Sequence, residues 1–233
     1  MGECIIQRNF LRIVILCAIV AVIILYLFDI SDYLNTDLTQ SEELEGVEVR
    51  DYEGEDLSKI SAFRENSIKG PQHISEEDYQ LTISGLVNNT KIYSYSQILS
   101  EFSNYKKVVT IHCVEGWDVT ILWEGALVKD IIEPSEILPS ANTVIFTAND
   151  GYTTSFPLSY IIDNDIIMAY SMNNVTLPAE RGFPFMLVAE DKWGYKWIKW
   201  ITKIDLSDDE NYRGYWEKRG YSDTGDLDRS FFD

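Results

Sequence analysis

The three cysteines of this chain are Cys4, Cys17 and Cys113, and only Cys113 lies beyond an apolar N-terminal run. It sits in Thr110-Ile111-His112-Cys113-Val114-Glu115-Gly116-Trp117-Asp118-Val119, where Val108, Val109 and Ile111 lead in as a β-rich run. Gly116 frees the backbone to turn just after the thiol, and Trp117 adds a large apolar surface beside it. A thiol at a strand end, next to a glycine turn, is placed to bind a metal or to attack a substrate. The same pattern also fits a buried cysteine acting as a small apolar residue. Past Cys17 no second cysteine exists to form a disulfide or to resolve a thiol redox cycle. With His73 and His112 the only histidines, a zinc site of His and Cys ligands is nearly excluded.

Composition narrows the partners. The 38 acidic and 19 basic residues give a formal net charge of −19, which leaves nothing to neutralise a run of phosphates and excludes nucleic acid. The same charge disfavours lying on an anionic membrane surface and favours solubility. At 233 residues the chain suits one sizeable domain and an appendage.

The elements that must position Cys113 are short. Tyr79 to Val87 alternates as a half-buried strand, and Asn88-Asn89 marks a turn. Tyr95 to Phe102 reads as a helix capped by Ser94 or Ser96, and Ala126 to Ile132 as another. Thr143 to Ala148, the turn Asn149-Asp150-Gly151 and Tyr152 to Phe156 read as a hairpin. Further strands are expected at Ile166–Met172, Met186–Ala189 and Ile201–Leu206, and Trp193 to Trp200 alternates like a strand packed on both faces. Many short strands and few long helices indicate a β-dominated α+β domain.

The N-terminus carries a different signal. Ile13 to Phe28 is apolar, and with Phe10 and Leu11 the run reaches about 18 residues, near the lower limit for crossing a bilayer. Arg8 and Arg12 precede it and Asp29, Asp32 and Asp37 follow, so the positive-inside rule leaves the N-terminus cytoplasmic and the rest extracytoplasmic. No small-x-small cleavage site follows the run, which favours a retained single-pass anchor in the cell membrane over a removed signal peptide. Gln7-Arg8-Asn9-Phe10-Leu11-Arg12 looks like a twin-arginine export signal whose first arginine is replaced by glutamine. The expected division is an anchor over 1–30, an acidic stalk over 31–61 and a domain over 62–233.

Several segments, in order, resemble the molybdopterin-dependent oxidoreductases of the sulfite oxidase fold. They are Tyr79-x-Leu81-x-Ile83-x-Gly85-Leu86-Val87, Cys113-Val114-Glu115-Gly116-Trp117, Asp150-Gly151-Tyr152 and Leu177-Pro178-Ala179-Glu180-Arg181-Gly182-Phe183-Pro184. Gly194-Tyr195-Lys196-Trp197-x-Lys199-Trp200 and Gly214-Tyr215-Trp216-Glu217-x-x-Gly220-Tyr221 complete the set. The resemblance implies that Cys113 ligates molybdenum, or tungsten in its place, beside the dithiolene of one molybdopterin. A thiolate suits a soft, high-valent metal, and ligation would protect a lone thiol outside the cytoplasm from oxidation.

Other residues follow from the same likeness. Gly194, Tyr195 and Lys196 match a phosphate-binding loop, with Lys196 as the point charge. A basic residue at a solvated strand end is the plainer reading of Lys196. Arg181 matches a further cofactor contact, and Asn66 the upstream asparagine near the metal. His112 would either hydrogen-bond the pterin or sit as a satisfied core histidine. Many relatives carry an arginine where this chain has Met186, which removes one phosphate contact.

Sulfite oxidases and assimilatory nitrate reductases of this kind hold anions with arginines. Here Glu115 and Asp118 follow the cysteine instead. The given sequence also stops shortly after the last matching motif, where sulfite oxidases carry a dimerisation domain, and it shows no haem-binding extension. The likeness is therefore to the extracytoplasmic catalytic subunit that reduces protein methionine sulfoxide. It implies a small or protein-bound S-oxide or N-oxide as substrate, and a membrane haem or quinol-linked partner as electron source. The alternatives are a sulfite-type oxidase, or a molybdopterin-binding domain that relays electrons without turnover of its own.

Overall fold

A computed structural model describes residues 47–232, together with Val20 and Ile23. The apolar run expected to anchor the chain lies, apart from those two residues, outside the described residues. Among the described residues no helix is long and apolar enough to cross a membrane.

Two five-stranded sheets carry the fold. The first contains β5 (Tyr105–His112), β6 (Asp118–Leu127), β9 (Ile167–Met172) and β10 (Val175–Thr176), in the order β10-β9-β6-β5, with β11 (Met186–Val188) also on β9. The second has the order β4-β3-β12-β7-β8, from β3 (Gln80–Gly85), β4 (Lys91–Ser94), β7 (Thr143–Ala148), β8 (Thr153–Pro157) and β12 (Ile201–Ser207). All their pairings are antiparallel except β3 with β12. Three short helices, α1 (Tyr95–Glu101), α2 (Val128–Ile132) and α3 (Leu158–Asp163), follow strands directly.

Local chemistry accounts for these elements. Leu81 and Ile83 alternate inward along β3 and are completely buried, as period-2 spacing requires. Ser94 starts α1 with a full capping box: its hydroxyl accepts from the Gln97 N–H, and the Gln97 side chain accepts from the Ser94 N–H. The sheets share a core through Phe185, which is fully buried and touches Tyr79 and Tyr95 on one side and Tyr170 of β9 on the other. The Tyr79 hydroxyl, held 2.6 Å from the Ile201 carbonyl, finds the partner that a buried phenol needs. Two expected elements differ. β6 extends to Leu127 and shortens the helix to Val128–Ile132, while Gly194–Lys196 forms a single 3₁₀ turn instead of continuing a strand.

The compact unit begins at Val47, earlier than the boundary near Ala62 read from the acidic composition. β1 (Asp51–Tyr52) and β2 (Glu55–Asp56) form a small hairpin, after which Leu57 and Ile60 bury. The buried Glu48 carboxylate accepts the Ile60 N–H at 2.8 Å, and Asn173 donates to the Ser58 carbonyl at 2.9 Å. The Ser58 N–H reaches the Thr120 carbonyl on β6 at 2.8 Å, so this segment is stitched to the strand that leaves the cysteine turn. Two apolar side chains and a handful of polar anchors suffice to hold an otherwise charged stretch. Replacing Ile60 by Ala should therefore lower the unfolding free energy by about 2–5 kcal/mol in a urea titration, the usual cost of emptying a core site. A solvated stalk would register almost nothing.

Candidate active site

β5 and β6 pair as far as His112 with Asp118, and the turn between them carries Cys113. The Cys113 N–H bonds the Trp117 carbonyl at 2.9 Å, and the Gly116 N–H returns to the Cys113 carbonyl at 3.0 Å. Gly116 adopts φ +82 in open space, so its need for glycine comes from the backbone angle alone. Across the turn, His112 bridges in parallel to Trp193, which draws the Gly194 turn against the cysteine. A Cβ at Gly194 would sit 3.2 Å from the His112 carbonyl, close enough to ask a shift of a few tenths of an ångström, and 3.5 Å from the Cys113 Cα, an ordinary contact.

The cysteine opens into a cavity of about 220 Å³ walled by five other segments. Phe63, Arg64, Asn66, Ser67 and Ile68 come from the loop before β3, and Asp150 and Tyr152 from the β7–β8 turn. Met186 starts β11, and Tyr195, Trp197, Ile198, Lys199 and Trp200 follow Gly194. Trp216 and Tyr221 come from the C-terminal part.

Cys113 is the free cysteine of the described residues and is 9% exposed. Burial pushes its thiol pKa up; the Glu115 backbone N–H opposes this, the Glu115 carboxylate adds to it, and Arg64 and the Val114 N–H pull it back down. Asn66 and Glu115 come together as a pair, with Nδ2 donating to Oε1 at 3.2 Å. Trp117 Nε1 donates to the other Glu115 oxygen at 3.3 Å. The carboxylate is thereby fixed at the cavity wall two residues from the thiol.

Two lysines exchange the expected places. Lys196 does not line the cavity. Its ammonium is 1% exposed, pairs with Glu217 at 2.7 Å, and donates to the Ser155 and Asp223 carbonyls at 2.9 and 3.0 Å. Those three bonds occupy all three N–H groups, so none remains for a phosphate. Burial pulls its pKa down, with Glu217 opposing. Lys199 meets the cavity instead. It donates to Glu65 at 3.0 Å and the Glu180 carbonyl at 3.2 Å and lies 4.4 Å from the centre of the Trp200 ring, so only that aromatic face competes with a ligand for its third N–H. The resemblance gives the phosphate contact to Lys196 and the plainer reading leaves it solvated; with a 3₁₀ turn at Gly194–Lys196 its side chain is instead buried away from the cavity.

Arg181 is also set back from the cavity, with its guanidinium 5.3 Å from the Phe63 ring centre and Phe63 as the wall. His112 contributes its backbone. Its ring does not line the cavity; it is 40% exposed and lies 3.8 Å from Asp118. Met186 stands on the cavity wall. Residues not singled out beforehand are Ser67, Arg64, Asp150 and Lys199. Asp150 and Lys199 lie within motifs already quoted; Ser67 and Arg64 flank the Asn66 position without any signal of their own.

The donor set suits a pterin cofactor with an anionic tail. A thiol stands at one wall, aromatic rings line the sides, and Lys199 keeps a donor in reserve. Ser67 Oγ is buried at the cavity with no hydrogen-bond partner among the described residues, a cost that a bound polar ligand would remove. Residues 68–216 match the family described as the oxidoreductase molybdopterin binding domain.

The chain belongs to this molybdopterin-binding oxidoreductase family. It is 32% identical over 157 residues to the uncharacterised oxidoreductase YuiH of Bacillus subtilis, covering 67% of this chain and 78% of that protein. It is 29% identical to the "putative protein-methionine-sulfoxide reductase subunit YedZ1" of Azospira oryzae, with 69% of this chain and 62% of that one covered. Mouse mitochondrial sulfite oxidase is 29% identical over 58% of this chain, which spans 27% of that enzyme. The crystal structure of the sulfane dehydrogenase SoxCD from Paracoccus pantotrophus superposes with a TM-score of 0.59 at 20% identity, covering 66% of this chain and 43% of that one, and supports the fold. A molybdopterin group of this family bound in the cavity would meet the Cys113 thiol, Lys199 and Ser67 on its walls.

The two lysines separate experimentally. Lys199→Met should lower the bound metal and pterin per chain roughly tenfold, the worth of about one charge-assisted hydrogen bond. Lys196→Met strands a buried Glu217 and should instead cost about 3–5 kcal/mol of folding stability in thermal melts.

Proposed function

We propose that this protein is a membrane-tethered, extracytoplasmic oxidoreductase that reduces a neutral S-oxide or N-oxide by two-electron oxygen-atom transfer. The observation that carries the reading is the Glu115 carboxylate, fixed by Asn66 and Trp117 on the cavity wall next to Cys113. An anionic substrate would meet repulsion from that carboxylate, whereas a neutral oxide would not. The kinship with YedZ1 supports the same substrate class.

When bound, the cofactor supplies the electron pair and accepts the oxygen. Reduction of a sulfoxide breaks its S–O bond, adds two electrons to sulfur and consumes two protons as the oxygen leaves as water. Glu115 is placed to hold and hand on one of those protons through Oε1 or Oε2. Phe63 and Trp117, with ring centres 5.7 Å apart, line the cavity and give an apolar substituent a surface to rest on. Asn66 orients the carboxylate, and Phe63 and Trp117 limit water at the reacting end. Electrons would arrive from a membrane haem or quinol-linked partner, beside which the N-terminal apolar run would hold the domain.

A second reading, oxidation of an anion of the sulfite type, draws on one observation: Arg64 also lines the cavity. It would be a lone guanidinium facing Glu115 and Asp150, since Arg181 stands behind Phe63.

Steady-state assays of the cofactor-loaded, full-length protein decide between them. With a reduced dye as donor, sulfoxides and N-oxides should be turned over, and Glu115→Gln should lower kcat by roughly 10²–10⁴ with a smaller change in KM. Sulfite oxidation without oxide reduction would overturn the proposal. Protease added outside spheroplasts should release the domain from the membrane fraction; a protein that stays soluble throughout would remove the tether.

A further inference from the structure

The segment beyond the residues that match the family, Glu217 to Phe232, lies across the outside of the cofactor loop. The Trp193 N–H donates to the Gly225 carbonyl at 2.8 Å and the Leu227 N–H to the Asp191 carbonyl at 3.0 Å. The Tyr195 hydroxyl donates to the Ser222 carbonyl at 2.7 Å, and Trp193 Nε1 to the Arg229 carbonyl at 3.2 Å. An ion pair between Lys192 and Asp226 closes the clasp. The loop it covers presents Gly194, Tyr195 and Lys199 to the cavity, and the start of the C-terminal part supplies two more wall residues, Trp216 and Tyr221.

At the centre of this clasp is the Lys196–Glu217 pair, both side chains 1% exposed. Glu217 also accepts from the Thr154 hydroxyl at 3.1 Å. A buried ion pair is weak evidence of stability, because well-packed apolar side chains of similar volume hold a fold as well or better. Direction is what apolar packing cannot supply. The three N–H bonds of Lys196 tie two pieces of chain to the loop: β8 at Ser155, and the covering segment at Glu217 and Asp223. They fix one backbone position between Tyr195 and the approach to Lys199.

We propose that Lys196 and Glu217 are positioning residues for the cofactor, and that the C-terminal segment Glu217–Phe232 acts through them as a strap on the loop that holds it. Neither side chain touches the cavity. Their effect is carried by the backbone of the loop, which sets where Gly194 lies against Cys113 and where the free N–H of Lys199 points. The inference rests on the cofactor site and is independent of which oxide is reduced.

The test is the double variant Lys196→Met with Glu217→Met in the full chain, which removes both charges and leaves neither stranded. Its readouts are metal and pterin content per chain, the rate of cofactor release on dilution, and the melting temperature of the cofactor-free form. The expected result is cofactor-free melting within about 5 °C of the native protein, with release accelerated roughly tenfold or more, the range seen when partners outside the first ligand shell are lost. A double variant that melts and retains cofactor like the native protein overturns the proposal. Should it fail to fold, Asp226→Asn decides, since that half-buried pair clasps the strap away from the cavity. Release accelerated at an unchanged melting temperature supports the strap, and native release overturns it.

Discussion

The site depends on a backbone-to-backbone contact, that of Gly194 against Cys113. One partner comes from the turn of the β5–β6 hairpin, whose register is set locally by the pairing of His112 with Asp118. The other comes from a loop far along the chain that must be brought in and turned correctly. The parallel bridge from His112 to Trp193 brings it in. The buried bonds of Lys196 turn it. Once these hold, the remaining walls follow from elements that the two sheets already place.

The charges around the cavity are arranged by the same economy. An ammonium taken out of water needs all its donors satisfied and a counter-charge close by, and Lys196 has both. Lys199, by contrast, keeps one donor open at the price of partial burial, which pulls its pKa down while Glu65 holds the charge in place. The carboxylates divide similarly. Glu217 is buried against Lys196, whereas Glu115 is held at the cavity by the neutral donors of Asn66 and Trp117.

What the sequence shows clearly is what local physics decides. The strand into Cys113, the Ser94 cap, the Asn149-Asp150-Gly151 turn and the β3 alternation each need only neighbouring residues, and each stands where expected. Order along the chain was also enough to reveal the family. The reading failed where a residue's orientation is decided from a distance. Lys196 turns inward because of Glu217 and Asp223, and nothing in Trp193 to Trp200 announces that. Likewise, the stretch from Val47 to Ile60 looks solvated by composition, because two apolar side chains carry its docking and the partners of Glu48 and Ser58 lie on other elements. Asn66 and Cys113 were legible as separate points. That Glu115 joins them needed the geometry.

The parallel pairing of β3 with β12 has a consequence in time. β12 enters the second sheet between β3 and β7, so that sheet stays split until residues near 201–207 have been made. Pairings this remote in sequence are closed late, because the entropy of the intervening chain must be given up first. The cofactor loop immediately precedes β12, and the covering segment follows it. A growing chain would therefore display the Cys113 hairpin well before the cavity exists to shelter its thiol. Loading must wait until β12 and the covering segment have been made, and until then no folded cavity surrounds this cysteine.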